Sequence, residues 1–264
     1  NAFWFVISLF VLTNMSWLPL NPDKNPSMSW DLAFNTSVSF VSNTNLQHYS
    51  GEVSMSYFSQ LFGLMWLQFV SAATGIAALS ALARGLAGKR ALGNFYRDLM
   101  RAAFLVLLPV ASGLALLLVL GGVPMTLQGA AVAKTLEGAM QTIARGPVAA
   151  LEAIKQLGTN GGGFFGPNSA HPFENPSCFT DVFECVSIVL IPMASVWMFG
   201  RITGRMRHAV VVFAVMALLL TAKVGLAVYF ESAPTAALAG LPVQASANLE
   251  GKELRFGTVA GPLW

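Results

Sequence analysis

The chain has 264 residues, of which 55% are hydrophobic and only 10% charged, with a formal net charge of +3. An average soluble domain carries about 25% charged residues, so this composition cannot cover a water-soluble surface, and it is too apolar and too weakly charged for a disordered chain. Two cysteines exclude a disulfide scaffold and a charge of +3 is too weak for nucleic-acid binding, which leaves a polytopic membrane protein.

A membrane-spanning helix needs about 20 mostly apolar residues, and five windows qualify as spans in chain order. The first is Ala2 to Leu18, ended by Pro19 and Pro22. It has no basic lead and no small-residue cleavage site, so it is not a signal peptide; the expectation is a chain that starts inside a longer one. The second has its apolar body from Tyr57 to Ala83. The third runs from Ala102 to Gly121 and closes in the turn Gly121-Gly122-Val123-Pro124. The fourth runs from about Phe179 to Gly200 and carries Glu184; the fifth runs from about His208 to Phe230 and carries Lys223. A last apolar stretch opens at Phe256 and runs to Trp264.

Lys and Arg in short loops set orientation. Arg84, Lys89, Arg90, Arg97 and Arg101 crowd one loop, and Arg201, Arg205 and Arg207 another, so eight of the 15 basic residues lie in two short segments. Both are expected on the cytoplasmic side, with segments 19–56, 122–178 and 231–264 outside. Five spans with alternating sides meet this without conflict.

Two outside segments hold helical stretches too short to span. Apolar positions 30, 33, 34, 38 and 41 follow helical spacing, with Ser29 as N-cap. The second, 147–157, starts at Pro147, a residue favoured in a helix's first turn. Such short apolar helices are buried, interfacial or re-entrant. Each runs into a polar stretch: Ser42-Asn43-Thr44-Asn45 after the first, Gly158-Thr159-Asn160-Gly161-Gly162-Gly163 after the second. Thr44 and Thr159 align 115 residues apart (159 − 44). The order span, short helix, Thr-Asn stretch, span therefore occurs twice, and internal repeats are common in transporters. Irregular backbone at membrane depth survives only where protein buries it or where it lines a water-filled path. Carbonyls of such a stretch can replace the hydration shell of K+, and the negative end of the preceding helix favours a cation.

At these residues the chain resembles a known family, the potassium-binding A subunit of the bacterial Kdp-type potassium-transporting ATPase. The resemblance is carried by Ser29-Trp30-Asp31-Leu32-Ala33-Phe34-Asn35-Thr36, Val38 to Asn45, Tyr49-Ser50-Gly51-Glu52, Leu157 to Phe165, Asn168 to Pro176 and Asn248 to Gly257, and it covers essentially the whole chain. What it implies is an all-α polytopic membrane protein built of M1-P-M2 repeats, in the superfamily of K+ transporters. The family subunit has four repeats around one pore and about twice this length, so the chain is expected to be a fragment. Residues 1–83 would form repeat one (end of M1, pore helix, filter strand, M2) and 84–101 a cytoplasmic loop. Residues 102–200 would form repeat two, and 201–264 a cytoplasmic turn, the M1 of repeat three and the start of its outside loop.

The resemblance assigns Ser42, Asn43, Thr44 and Asn45 to a first K+ selectivity-filter strand and Gly158, Thr159, Asn160, Gly161 and Gly162 to a second, with Gln47 at the filter entrance. Leu46 stands where the family commonly has Trp, and Gly166-Pro167 where it has Asn and a small residue. K+ would be the transported ion in an ATP-driven import pump of the bacterial inner membrane. ATP would be used only by a partner, a separate P-type ATPase subunit, with a single-span lipid-like subunit and a small accessory subunit completing the complex. The alternative is a passive K+ channel or ion-coupled transporter of the same superfamily. No ATP-hydrolysing site is expected in this chain: the Gly158–Gly163 run lacks the Gly-Lys-[Ser/Thr] of a phosphate loop.

Other candidates reduce to structure. His48, His171 and His208 do not cluster at metal-ligand spacing. Cys178 and Cys185, seven apart on a helix, sit about 10 Å apart at 1.5 Å per residue, beyond disulfide reach. Glu184 and Lys223 are ionisable residues in spans, expected to reach the interface by snorkelling. The basic loop between Arg84 and Arg101 is expected to be topogenic charge.

Overall fold

A computed structural model describes residues 2–238, 240–241 and 247–263. Asn1 and Trp264, at the ends of the first window's flank and of the last apolar stretch, lie outside the described residues. Among the described residues four helices are long and apolar enough to cross a bilayer: Ser59–Leu86, Phe95–Leu120, Cys178–Thr203 and Met206–Leu238.

The first window differs from expectation. Helix α1, Ala2–Thr13, stops five residues before the expected end of the window at Leu18 (18 − 13). It stops because polar side chains take its last carbonyls: Thr13 Oγ1 donates to Leu9 O at 2.8 Å and Asn14 Nδ2 to Phe10 O at 2.8 Å. The chain then doubles back, with Met28 N–H donating to Leu12 O at 3.1 Å, and enters α2, Trp30–Val41. A one-turn helix α3, Gly51–Ser54, precedes the second apolar helix, which opens with a π turn, Ser59–Met65, and continues as α4, Trp66–Leu86.

The next long helix begins earlier than the sequence places it. Asn94 caps it by accepting the Arg97 N–H at 3.0 Å, so α5, Phe95–Arg101, takes up part of the expected loop. Arg84 pairs with Asp98 across the short turn that is left. A π turn, Ala102–Leu107, leads into α6, Leu108–Leu120. The widening has a local cause: Pro109 has no N–H to return to the preceding turn, and the Leu108 N–H reaches back to Ala103 O instead.

Among the described residues the segment after α6 holds the exception to an all-α fold. Strands β1, Ala131–Lys134, and β2, Met140–Ile143, pair antiparallel with Ala131 opposite Ile143 and Lys134 opposite Met140. Gly138, at φ +89°, closes the turn. Helix α7, Val148–Leu157, follows with Pro147 as the residue before its first turn, and α8, Cys178–Thr203, is the next long helix.

Two compact units divide the chain, Asn1–Pro192 and Met193–Trp264. The first has a core around each short helix. Leu12, Met15, Met28, Phe40, Met55, Leu64 and Leu67 pack about α2. Leu107, Leu114, Leu118, Val148, Leu151, Ile154, Leu157, Phe164 and Phe165 pack about α7. Helix α7 is buried on every side, Glu152, Lys155 and Gln156 included. The long helices instead turn Phe104, Leu105, Leu116 and Leu120 outward, an apolar exterior that suits lipid rather than water.

The second unit comprises the end of α8, α9 (Met206–Glu231) and the short α10 (Gly257–Leu263). Gly200 lets α8 and α9 meet closely, since a Cβ there would lie 2.6 Å from Ala209 Cβ. At the far end of α9, Glu231 pairs with Lys252 and accepts from Asn248 Nδ2 at 2.9 Å.

Candidate functional site: two helix–strand junctions

The polar stretches after α2 and α7 have the same backbone. At the end of α2, Thr44 N–H donates to Ser39 O (2.9 Å) and Asn43 N–H to Phe40 O (3.4 Å). At the end of α7, Asn160 N–H donates to Lys155 O (3.0 Å) and Thr159 N–H to Gln156 O (3.1 Å). Both are the Schellman closure, in which the residue after the cap adopts a left-handed conformation. That residue is Asn43 (φ +65°) in one and Thr159 (φ +52°) in the other; two residues on, Asn45 (φ +54°) matches Gly161 (φ +93°). The structural repeat is therefore 116 residues (159 − 43), not the 115 that aligning Thr44 with Thr159 gives. Letter matching favours the shared Thr-Asn pair, whereas the backbone aligns the left-handed positions. Asn tolerates that conformation; a β-branched Thr does so only under strain.

The two strands are joined side by side. Asn160 Nδ2 donates to Asn43 Oδ1 and, at 3.2 Å, to Ser71 Oγ, while Ser71 Oγ donates to Asn43 Oδ1 at 2.6 Å. Further along, the Gln47 amide binds the backbone of Gly163 both ways: Gly163 N–H donates to Oε1 at 2.9 Å and Nε2 donates to Gly163 O at 3.2 Å. Gln47 thus clamps the far end of the second strand. Phe40 and Asn45 leave room only for a glycine at 162, where a Cβ would sit 2.7 Å from Phe40 Cζ and 3.0 Å from Asn45 Cβ.

Not all carbonyls of the second strand are free. Gly162 O accepts from Gln68 Nε2 at 2.8 Å, and Gly161 O accepts from Asn168 Nδ2. No hydrogen bond among the described residues ends on the carbonyls of Ser42, Asn43, Thr44, Gly158, Thr159 or Asn160. Ser42, Thr44 and Thr159 reach solvent, while Asn45 and Asn160 are buried. Leu46 is held by its N–H, which donates to Ser39 Oγ at 2.6 Å.

A buried polar cluster backs the second strand, and the sequence offered only a weak sign of it. Lys155 Nζ pairs with Glu152, lies 3.8 Å from Glu174, and donates to Asn168 Oδ1 (2.6 Å) and Ser169 Oγ (2.7 Å). Gln156 Nε2 reaches Glu152, Ser169 (2.9 Å) and Glu184 Oε2 (3.0 Å). Glu174 Oε1 accepts the Phe164 and Phe165 N–H groups at 2.7 and 3.3 Å, and Glu52 Oε2 accepts the Gly166 N–H at 2.9 Å. Burial pushes the Glu174 carboxyl up to about 8, against the downward pull of Lys155 and the two backbone donors. Burial on its own lowers the Lys155 ammonium, but Glu152 and Glu174 outweigh it and hold it above its ordinary value.

Glu184 is a correction: it is fully buried and bonded to Gln156, not snorkelling to an interface. It lies in the first turns of α8, where the amide of Gln156 meets its carboxylate. The sign available in the sequence was Glu152 and Lys155, an i,i+3 charged pair on a helix placed among membrane spans. Lys223 is exposed on α9. Cys178 and Cys185 are free thiols. His171 stacks on Phe165 at 3.7 Å between ring centroids and accepts the Phe173 N–H at 3.0 Å, while His48 is exposed. Among the described residues no three His, Cys, Asp or Glu side chains gather as a metal site.

Four apolar helices of spanning length and two short helices, α7 buried on every side and α2 on one face, each ending in a matched irregular strand, define a polytopic membrane protein of the M1-P-M2 pore-loop class. A family model described as "Potassium-transporting ATPase A subunit" matches residues 1–264, and the chain belongs to that family. Over all of its length it is 52% identical to a potassium-transporting ATPase potassium-binding subunit of Pseudomonas aeruginosa and 52% identical to one of Pseudomonas putida. A subunit of the same name from Leptospira interrogans is 46% identical. The chain spans about half the length of these curated relatives, 47% in each.

Proposed function

We propose that this chain supplies two of the filter strands with which a potassium-binding subunit selects K+ for an ATP-driven import pump. One observation carries the reading. Two strands with the same Schellman closure and the same left-handed positions lie side by side, and no hydrogen bond among the described residues is directed at their carbonyls of Asn43, Thr44, Thr159 and Asn160. Oxygens without a donor, held rigidly at the negative ends of two short helices, can stand in for the water that K+ sheds. Ser42, Asn45, Gly158, Gly161 and Gly162 shape those strands, and Gln47 forms the entrance by clamping Gly163. Residues 1–83 and 102–200 act as two M1-P-M2 repeats, 84–101 as the cytoplasmic loop between them, and 201–264 as the start of a third.

K+ is the cargo, and it passes from the filter to a separate P-type ATPase subunit, which alone uses ATP. A single-span lipid-like subunit and a small accessory subunit are the other partners, in the bacterial inner membrane. The names of the relatives support this reading, as does family membership. The test is K+-stimulated ATP hydrolysis by the full-length subunit in its complete complex. Gly161→Asp, which puts a Cβ and a charge at a left-handed position open to solvent, is expected to raise the K+ needed for half-maximal stimulation. An unchanged K+ requirement would count against the filter assignment.

A further inference from the structure

Asn168 is held between a buried charge and a strand of the proposed filter. It adopts φ +57°, a left-handed conformation that Asn tolerates. Its amide faces two ways: Oδ1 accepts from Lys155 Nζ at 2.6 Å and from Ser169 N–H at 3.1 Å, and Nδ2 donates to Gly161 O. An ammonium can only donate. Lys155, 1% exposed and neutralised by Glu152, therefore dictates which end of the Asn168 amide faces it, and the N–H end is left with Gly161 O as its acceptor. The amide cannot flip without setting two donors against each other beside a buried charge, where an unmet donor is costly.

We infer that Lys155 and Asn168 are positioning residues that turn the Gly161 carbonyl away from the ion path, so that the second strand offers K+ the carbonyls of Thr159 and Asn160 but not that of Gly161. This rests on the filter reading above. Gly161, at φ +93° and with nothing within 4 Å of an added Cβ, has no packing of its own to fix the peptide plane. Gly162 O is held in the same sense by Gln68 Nε2, so two consecutive carbonyls are anchored from the protein side by amide groups. Released from Asn168, the Gly161 carbonyl can swing and become an additional, loosely held oxygen donor, which blurs discrimination between ions of similar size.

The experiment uses the full-length subunit in its complete ATPase complex and measures half-saturating K+ and Rb+ for stimulated hydrolysis, with maximal turnover. Asn168→Gly keeps the left-handed backbone and removes the amide. Asn168→Asp keeps an acceptor for Lys155 and removes the donor to Gly161. Both are expected to lower the Rb+/K+ ratio of half-saturating concentrations by about tenfold, the scale of one lost hydrogen bond, with maximal turnover held within about twofold. Ser169→Ala, which removes the hydroxyl acceptor of Lys155 without touching Gly161 O, is expected to leave the ratio unchanged. If Asn168→Asp retains the parental ratio, the contact with Lys155 and not the hold on Gly161 matters, and the inference falls. If both Asn168 variants retain it while Gly161→Asp alters K+ demand, the inference falls and the filter reading stands. If Gly161→Asp is also silent, both fall together. Should Asn168→Gly fail to assemble, Asn168→Asp alone decides.

Discussion

Gly162→Ala is the sharpest test of how the two strands are packed. An added Cβ would lie 2.7 Å from Phe40 Cζ, 3.0 Å from Asn45 Cβ and 3.1 Å from Asn45 O. Carbon atoms in contact prefer about 3.5–4.0 Å, so roughly 1 Å of separation must be found. Phe40 cannot supply it, because its ring is 1% exposed and wedged in the core about α2. Asn45 O is backbone of the first strand. The second strand must therefore move, and the 2.8 Å bond from Gln68 to Gly162 O lengthens with it. Overpacking of this kind costs about 1–3 kcal/mol. If the ion-bound arrangement bears that cost, the K+ needed for half-maximal ATPase stimulation rises about 5- to 150-fold.

The same substitution one residue earlier separates two causes. Gly161→Ala meets open space but must hold φ +93°, so its cost is conformational, about 1–2 kcal/mol, and independent of Phe40. Phe40→Leu removes the ring atom that the new methyl group of Gly162→Ala would strike. It should recover part of the K+ affinity lost by Gly162→Ala and none of that lost by Gly161→Ala. Parental K+ affinity and melting temperature in Gly162→Ala, or no recovery in the double variant, would refute the close apposition of the strands.

Three further outcomes follow from the same geometry. Lys155→Met strands the buried Glu152 carboxylate without its ammonium and should cost about 3–5 kcal/mol, read as a large drop in the thermal unfolding temperature of the purified complex. Thr159→Asn places at the second left-handed position the residue type found at the first, Asn43, and should raise the unfolding temperature by relieving about 0.5–1 kcal/mol of strain. The Glu174 carboxyl is raised from 4.5 to about 8 in the fold, so the folded state binds the proton more tightly than the unfolded chain. Its contribution to stability is complete below the ordinary value and is lost as pH rises through about 8. Unfolding temperature should accordingly fall from mildly acidic to mildly alkaline pH, and Glu174→Gln, which keeps an acceptor for Phe164 and Phe165, should flatten that slope.

The long helices were legible because lipid exposure leaves a strong trace in composition: a chain that folds in water rarely carries a charge-free apolar run of about 20 residues. Their ends were less so. Helix α5 begins within the basic loop because Asn94 caps it and Arg84 pairs with Asp98, and charge counting alone reads Arg97 and Arg101 as loop. Helix α1 ends early because Thr13 and Asn14 cap its carbonyls, a local contest that hydropathy does not register. The hairpin of β1 and β2 was illegible for the opposite reason, since four-residue strands with no fully buried side chain are too short to carry a pattern that a core would impose.

The site shows the same division between local and long-range information. Two polar stretches after two short helices could be recognised from composition and order, because glycine and asparagine mark left-handed backbone wherever it occurs. Which of their carbonyls are free could not, because the deciding donors come from elsewhere in the chain: Gln68 from the helix behind, Asn168 from the loop ahead, and Gln47 across from the other strand at a separation of 116 residues. The carbonyls of Gly161 and Gly162 stand in the same glycine run as Gly158, yet they face protein donors. Backbone flexibility therefore permits a carbonyl to face an ion without requiring it. The amides of Gln68 and Asn168, the latter oriented by the Lys155 ammonium, decide which carbonyls are taken by protein donors and which are left without one.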